Sequence, residues 1–157
     1  MANAHSYRIT LSNNRTEKEA LSLVLSARSD ILIPDSKGRR AILSALEVEQ
    51  RFSRAFDLVR IEGHTRGESQ VEILDPMALT LFEIKSTKKL LPDFPRGFFF
   101  GATKNEFELA ERLGERFAFC FVSLHPDQQA AKRITYLSLA ALRPLIRTQR
   151  TQYQVNL

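Results

Sequence analysis

The stretch MALTLFEIKST, Met77 to Thr87, constrains this chain more than any other. Leu79, Thr80, Leu81, Phe82 and Ile84 put apolar or β-favouring side chains on both faces of an extended segment. A strand coated on both faces belongs inside a sheet that is covered above and below. The same strand carries Glu83 and Lys85, which stand two residues apart and so leave one face together. An acid on a face covered by helices is unfavourable unless it is paired or bound to a metal. A Glu83–Lys85 ion pair at the frayed end of the strand is one way to satisfy it; a functional site is the other.

The rest of the chain supplies the layers. YRITL reads as strand-like, and RTEKEALSLVLSAR has helical spacing in Ala20, Leu21, Val24 and Leu25. After Pro34, SKGRRAILSALEVEQRFSRAF predicts a second helix from about Ser36 to Phe56. FDLVRIEG, QVEIL and LTLFEIKS read as three strands, separated by the turn-like HTRGES and DPMA. A proline-broken loop, KKLLPDFPRG, leads to GFFFGA, read as a short strand. Thr103 and Glu106 in TKNEFELAERLGER form a T-x-x-E capping box, and Phe107, Ala110 and Leu113 give that helix an apolar stripe. RFAFCFVSL and ITYLSL are further strands, and LAALRPLIRT a broken terminal helix. The reading is an α/β fold in one domain, residues 1–157, with a central mixed β-sheet flanked by helices.

Charge and cysteine usage narrow the function classes. The 157 residues are 43% hydrophobic and 26% charged, an ordinary globular balance. No segment has the apolar length of a signal peptide core or a membrane span, so the expectation is a cytoplasmic protein without a membrane partner. Cys120 is the one cysteine and lies in a strand-type run, where a buried thiol acting as a small hydrophobe is expected. With His5, His64 and His125 scattered, zinc has no ligand cluster. The net charge of +5 points weakly to polyanions. Lys88, Lys89 and Arg96 follow the Glu-x-Lys strand, and Arg143, Arg147 and Arg150 recur near the C-terminus.

The predicted second helix offers another acid. Ile42, Leu46, Phe52 and Phe56 share one face, and Glu49 falls in that stripe, directed at the sheet or reaching water at its edge. A helix with an acid, a strand meander with an acid, then apolar-E-x-K resembles the PD-(D/E)XK nuclease superfamily. FFFGATKNEFELAERLGERFAFCFV is also similar to small restriction-endonuclease-like domains, which commonly pair an E-[IV]-K-S strand with a T-x-N-E helix. The resemblance covers roughly residues 39–123 and implies an αβββαβ core.

What it implies about function is specific. The protein would be a Mg²⁺-dependent DNA endonuclease, with Mn²⁺ able to substitute, of restriction or repair type. Glu83 would be a metal ligand, Lys85 would orient or activate the attacking water, and the carbonyl of Ile84 would complete the metal shell. Oxygen ligands suit Mg²⁺, which keeps coordination positions for water and phosphate. For the second metal-binding acid, Asp57 and Asp75 stand equal, with Glu72 behind them and Glu49 a further position. Asp75 has the short spacing to Glu83, yet a tight DPMA hairpin would set it roughly 17 Å along the strand. Lys88, Lys89 and Arg96 would contact DNA phosphates. Restriction-type enzymes usually pair two copies on a two-fold site, so a homodimer is plausible. A non-catalytic nucleic-acid- or protein-binding domain on the same fold is the alternative. For Glu106 the expected role is the helix cap.

Overall fold

The structure is a computed structural model that describes residues 4–66 and 75–157, with side chains from residue 15 onward. Helix α1 spans Ala4–Ala27, followed by the short β1 at Ile31–Leu32 and α2 at Ser36–Ala45. Strands β2 (Leu58–Ile61) and β3 (Leu79–Thr87) come next, then α3 (Lys104–Leu113). The chain closes with β4 (Phe117–Ser123), β5 (Ile134–Leu137) and α4 (Leu139–Leu142). The strands form one sheet in the order β1-β2-β3-β4-β5, so β3 is central. Among the described strands only β3 and β4 run parallel, which requires the crossover that α3 provides; the other neighbours are antiparallel. This is a mixed α/β fold with helices on both faces of the sheet.

Alternation along the strands assigns each face. Phe82 on β3, Leu58 on β2 and Cys120 and Val122 on β4 pack with Ala20 and Val24 of α1. Leu79 and Leu81 point the other way, joining Phe117, Phe119 and Phe121 against α2, α3 and α4. Glu83 and Lys85 continue that second series by the period of two. Register sets Glu83 beside Phe119 and Lys85 beside Phe121.

Four expectations are corrected or fall outside these residues. YRITL is not a strand; it is the first part of α1. The helix predicted from Ser36 to Phe56 stops at Ala45, and the chain resumes as a single 3-10 turn at Gln50–Phe52 after Glu47 adopts φ 57°. A tertiary contact holds that break. The Arg39 guanidinium of α2 donates to the carbonyls of Ser53 (2.9 Å) and Phe56, folding the second segment back on the first. GFFFGA forms no strand, although Phe98 and Phe100 turn inward onto Phe121 while Phe99 is 91% exposed. QVEIL, with Glu72, lies outside the described residues. Helix α3 forms as read, with both halves of the Thr103–Glu106 capping box made. Among the described residues no helix is long and apolar enough to cross a membrane.

Candidate active site

The second half of β3 builds the site. Because Glu83 and Lys85 face α3, their side chains run under the first turn of that helix. Lys85 Nζ donates to Glu83 Oε1 at 3.4 Å and to Glu106 Oε2 at 3.0 Å. Glu106 Oε2 also accepts from the Thr103 backbone N–H at 2.9 Å, so the capping box and the lysine share one carboxylate oxygen. Glu83 is 8% exposed and Glu106 5%, which keeps these ion pairs largely out of water.

Asp57 completes the group from the neighbouring strand. It lies one residue before β2, and its backbone N–H donates to the Phe82 carbonyl at 2.7 Å. Its Oδ2 accepts from the Ile84 N–H at 2.8 Å, a side-chain rung added where β2 ends. These two bonds straddle Glu83 and set Asp57 across from it, one residue beyond the Leu58–Phe82 pair. Arg39 steadies the same corner by donating to the Phe56 carbonyl and, at 3.4 Å, to that of Asp57. The row is therefore Asp57, Glu83, Lys85, Glu106.

Its electrostatics are unbalanced. Burial pushes the Glu83 carboxyl up to about 10; Asp57 adds to the rise, Lys85 opposes it, and Glu106 adds again. Glu83 Oε2 is buried and receives no hydrogen bond from the described residues. Its neighbour is another carboxylate, which bonds it only if a proton lies between them. Three carboxyl groups thus stand in one row with a single ammonium, a surplus of acid that a proton or a divalent cation relieves. Asp57 and Glu83 fit a hard cation through oxygen, and the Ile84 carbonyl leaves the strand on the side of its N–H, toward Asp57. Among the described residues no three acidic, histidine or cysteine side chains converge as a closed metal cage. A two-acid site is an open one.

The other sequence candidates lie elsewhere. Asp75 is exposed at the opposite end of β3, where its side chain accepts from the Met77 N–H at 2.9 Å and caps a 3-10 turn. Glu49, which the helix break turns outward, is an exposed partner of Arg112 on α3. Lys88 and Lys89 are exposed in the loop that leaves β3, and Arg96 pairs with Asp93 at 3.6 Å. Cys120 is buried on the α1 side, where burial pushes its thiol up to about 12, away from nucleophilic use.

Three contributors escaped the sequence reading. Arg39 had no signal beyond its place in SKGRRAIL, and the pairing of Glu106 with Lys85 was hidden behind its role as a cap. Gln128 is the third: its buried amide donates to the Leu91 carbonyl and accepts from the Leu91 N–H, both at 3.3 Å. It thereby fixes the loop that follows Lys85 to the turn between β4 and β5. No family model, curated protein or solved structure matches this chain.

Proposed function

We propose that this protein is a metal-dependent nuclease of PD-(D/E)XK type that hydrolyses DNA phosphodiester bonds. One observation carries the reading: the acid–lysine pair of the central strand is buried beside a second acid, Asp57, with Glu83 Oε2 lacking a donor among the described residues. A purely structural Glu–Lys pair has no use for a second and third carboxyl. The crossover from β3 through α3 to β4 supports the reading as well, since it places Glu106 where it holds the lysine.

In this reading Asp57, Glu83 and the Ile84 carbonyl would hold Mg²⁺, or Mn²⁺ in its place. The bound ion supplies charge neutralisation at the phosphate and a lowered pKa for the attacking water. The remaining work falls to the chain. Lys85 donates toward the attacking water and fixes its line of approach. Glu106 keeps Lys85 in place when Glu83 turns its charge to the ion, because the 3.0 Å contact is independent of Glu83. Phe119 and Phe121 wall the site and keep bulk water from screening these charges. Lys88 and Lys89, exposed in the loop that leaves β3, would contact DNA phosphates beside the acid-rich site. One chain offers one site, so cutting both strands calls for two copies.

The test is nicking of supercoiled plasmid in Mg²⁺, with and without EDTA. Nicking that EDTA stops and that Lys85→Ala abolishes is the expected result; nicking that survives EDTA sinks the metal mechanism. DNA binding with no nicking under any divalent ion would instead assign the non-catalytic binding domain.

A further inference from the structure

A cleft of about 540 Å³ lies between α2 and the 3-10 turn, not over β3. Ser36, Arg39, Arg40, Ser53 and Arg54 line it, and Asp57 stands in its wall. Three guanidinium groups thus share an open cleft that reaches an acid of the candidate active site.

The three arginines are not equivalent. Arg39 is spent on structure: it binds the carbonyls of Ser53, Phe56 and Asp57 and stacks 4.9 Å from the Phe56 ring. Arg40 and Arg54 are exposed, and neither guanidinium has a hydrogen-bond or ion-pair partner among the described residues. Two like charges on one cleft repel, and an anion between them removes that repulsion while satisfying planar donors suited to phosphate oxygens. The hydroxyls of Ser36 and Ser53 add neutral donors. Asp57 is among the lining residues, so the cleft borders one member of the acid row.

We infer that this cleft binds the phosphodiester backbone of a nucleic-acid strand, holding the phosphates next to the one at Asp57 and Glu83, with Arg40 and Arg54 as the contacting residues. The inference rests on the nuclease reading for which phosphate lies next door, but not for the binding itself. It also separates two basic surfaces: the Arg40–Arg54 cleft reaches the site from Asp57, and the Lys88–Lys89 loop from Lys85.

The experiment measures affinity for a 20-base-pair DNA duplex, and for an RNA duplex of the same sequence, across a salt series in EDTA, where cutting is impossible. Arg40→Gln/Arg54→Gln is compared with the wild-type chain after thermal melting shows both folded. The expected result is a loss of about 10-fold or more at low salt and a fall of about two in the slope of log affinity against log salt, one per lost phosphate contact. The duplex that shows the larger loss names the strand. Unchanged affinity and slope, or a wild-type chain that binds neither duplex, overturns the inference. A plasmid assay separates the two claims. Loss of binding in the double variant, alongside a wild type that never nicks, would keep the cleft and remove the nuclease. Nicking by the double variant at wild-type rates under subsaturating DNA would keep the nuclease and remove the cleft.

Discussion

The two faces of β3 are built from one strand and obey different rules. On the α1 side, Phe82 and Ile84 meet Leu58, Cys120, Val122 and Tyr136, an apolar layer closed by Ala20 and Val24. On the α3 side, Leu79 and Leu81 begin the same way, but Glu83 and Lys85 then take the places where two more apolar residues would fit. The first face is organised for burial alone. The second keeps an acid with an orphaned oxygen under a helix, an arrangement that lowers stability and that selection for folding would remove. The difference shows where the strand departs from burial alone: at the end of β3 where the apolar rule stops.

The largest expected effect breaks the charged face. Glu83→Gln keeps the shape and removes the charge, so plasmid nicking should fall about 10²- to 10³-fold, the scale of losing one preorganised electrostatic contact. The same variant should melt higher than the wild-type chain in the absence of metal at pH 8. Slower nicking with no gain in melting temperature would mean that Glu83 is not held against its burial.

Next in size is the apolar face. Phe82→Ala should lower stability by about 3–5 kcal/mol, from lost transfer energy and a cavity. Its readout is a denaturant titration, and the folded fraction that remains should still nick plasmid in Mg²⁺. If nicking disappears before folding does, the two faces are not separable. The Phe82 carbonyl carries the Asp57 N–H, but that bond is backbone and survives the substitution.

Legibility in the sequence follows the same division. The period of two in LTLFEIKS fixed both faces of β3, and the T-x-x-E box fixed the start of α3, because each signal lies within a few residues. The break after Ala45 has no glycine or proline to announce it; Arg39 decides it from a distance by holding Ser53 and Phe56. That break also carries Glu49 out of the stripe it occupies on an ideal helix. The choice between Asp57 and Asp75 depends on which residue of the next strand meets Phe82, a pairing that spacing along the chain leaves open. The double use of Glu106 was invisible for a third reason: one carboxylate satisfies a local motif and a distant lysine together.

A smaller effect sharpens the electrostatic half of the comparison. In the metal-free fold Glu83 holds its proton at pH values where the unfolded chain has lost it. The folded state then binds more protons, so its stability falls as pH rises from the ordinary glutamate value of about 4.3 into the alkaline range. The slope owed to one such group is at most about 1.4 kcal/mol per pH unit. Subtracting the Glu83→Gln curve from the wild-type curve isolates it, and saturating Mg²⁺ should flatten the difference. A difference that rises with pH would reverse the assignment.

The smallest expected effect divides the two duties of Glu106. Glutamine at this position keeps an oxygen for the Thr103 N–H, preserving the capping box, but removes the charge that holds Lys85 at 3.0 Å. Alanine removes both. Glu106→Ala should therefore lose about 1 kcal/mol of stability, the usual worth of a cap, whereas Glu106→Gln should lose little. Both should lower nicking, since in each variant Lys85 has only the 3.4 Å contact to Glu83 left, and that acid turns to the metal. Melting curves and nicking rates on the same two proteins decide between the duties. If Glu106→Gln nicks like the wild-type chain, Glu106 is a cap alone and Lys85 is positioned by the strand.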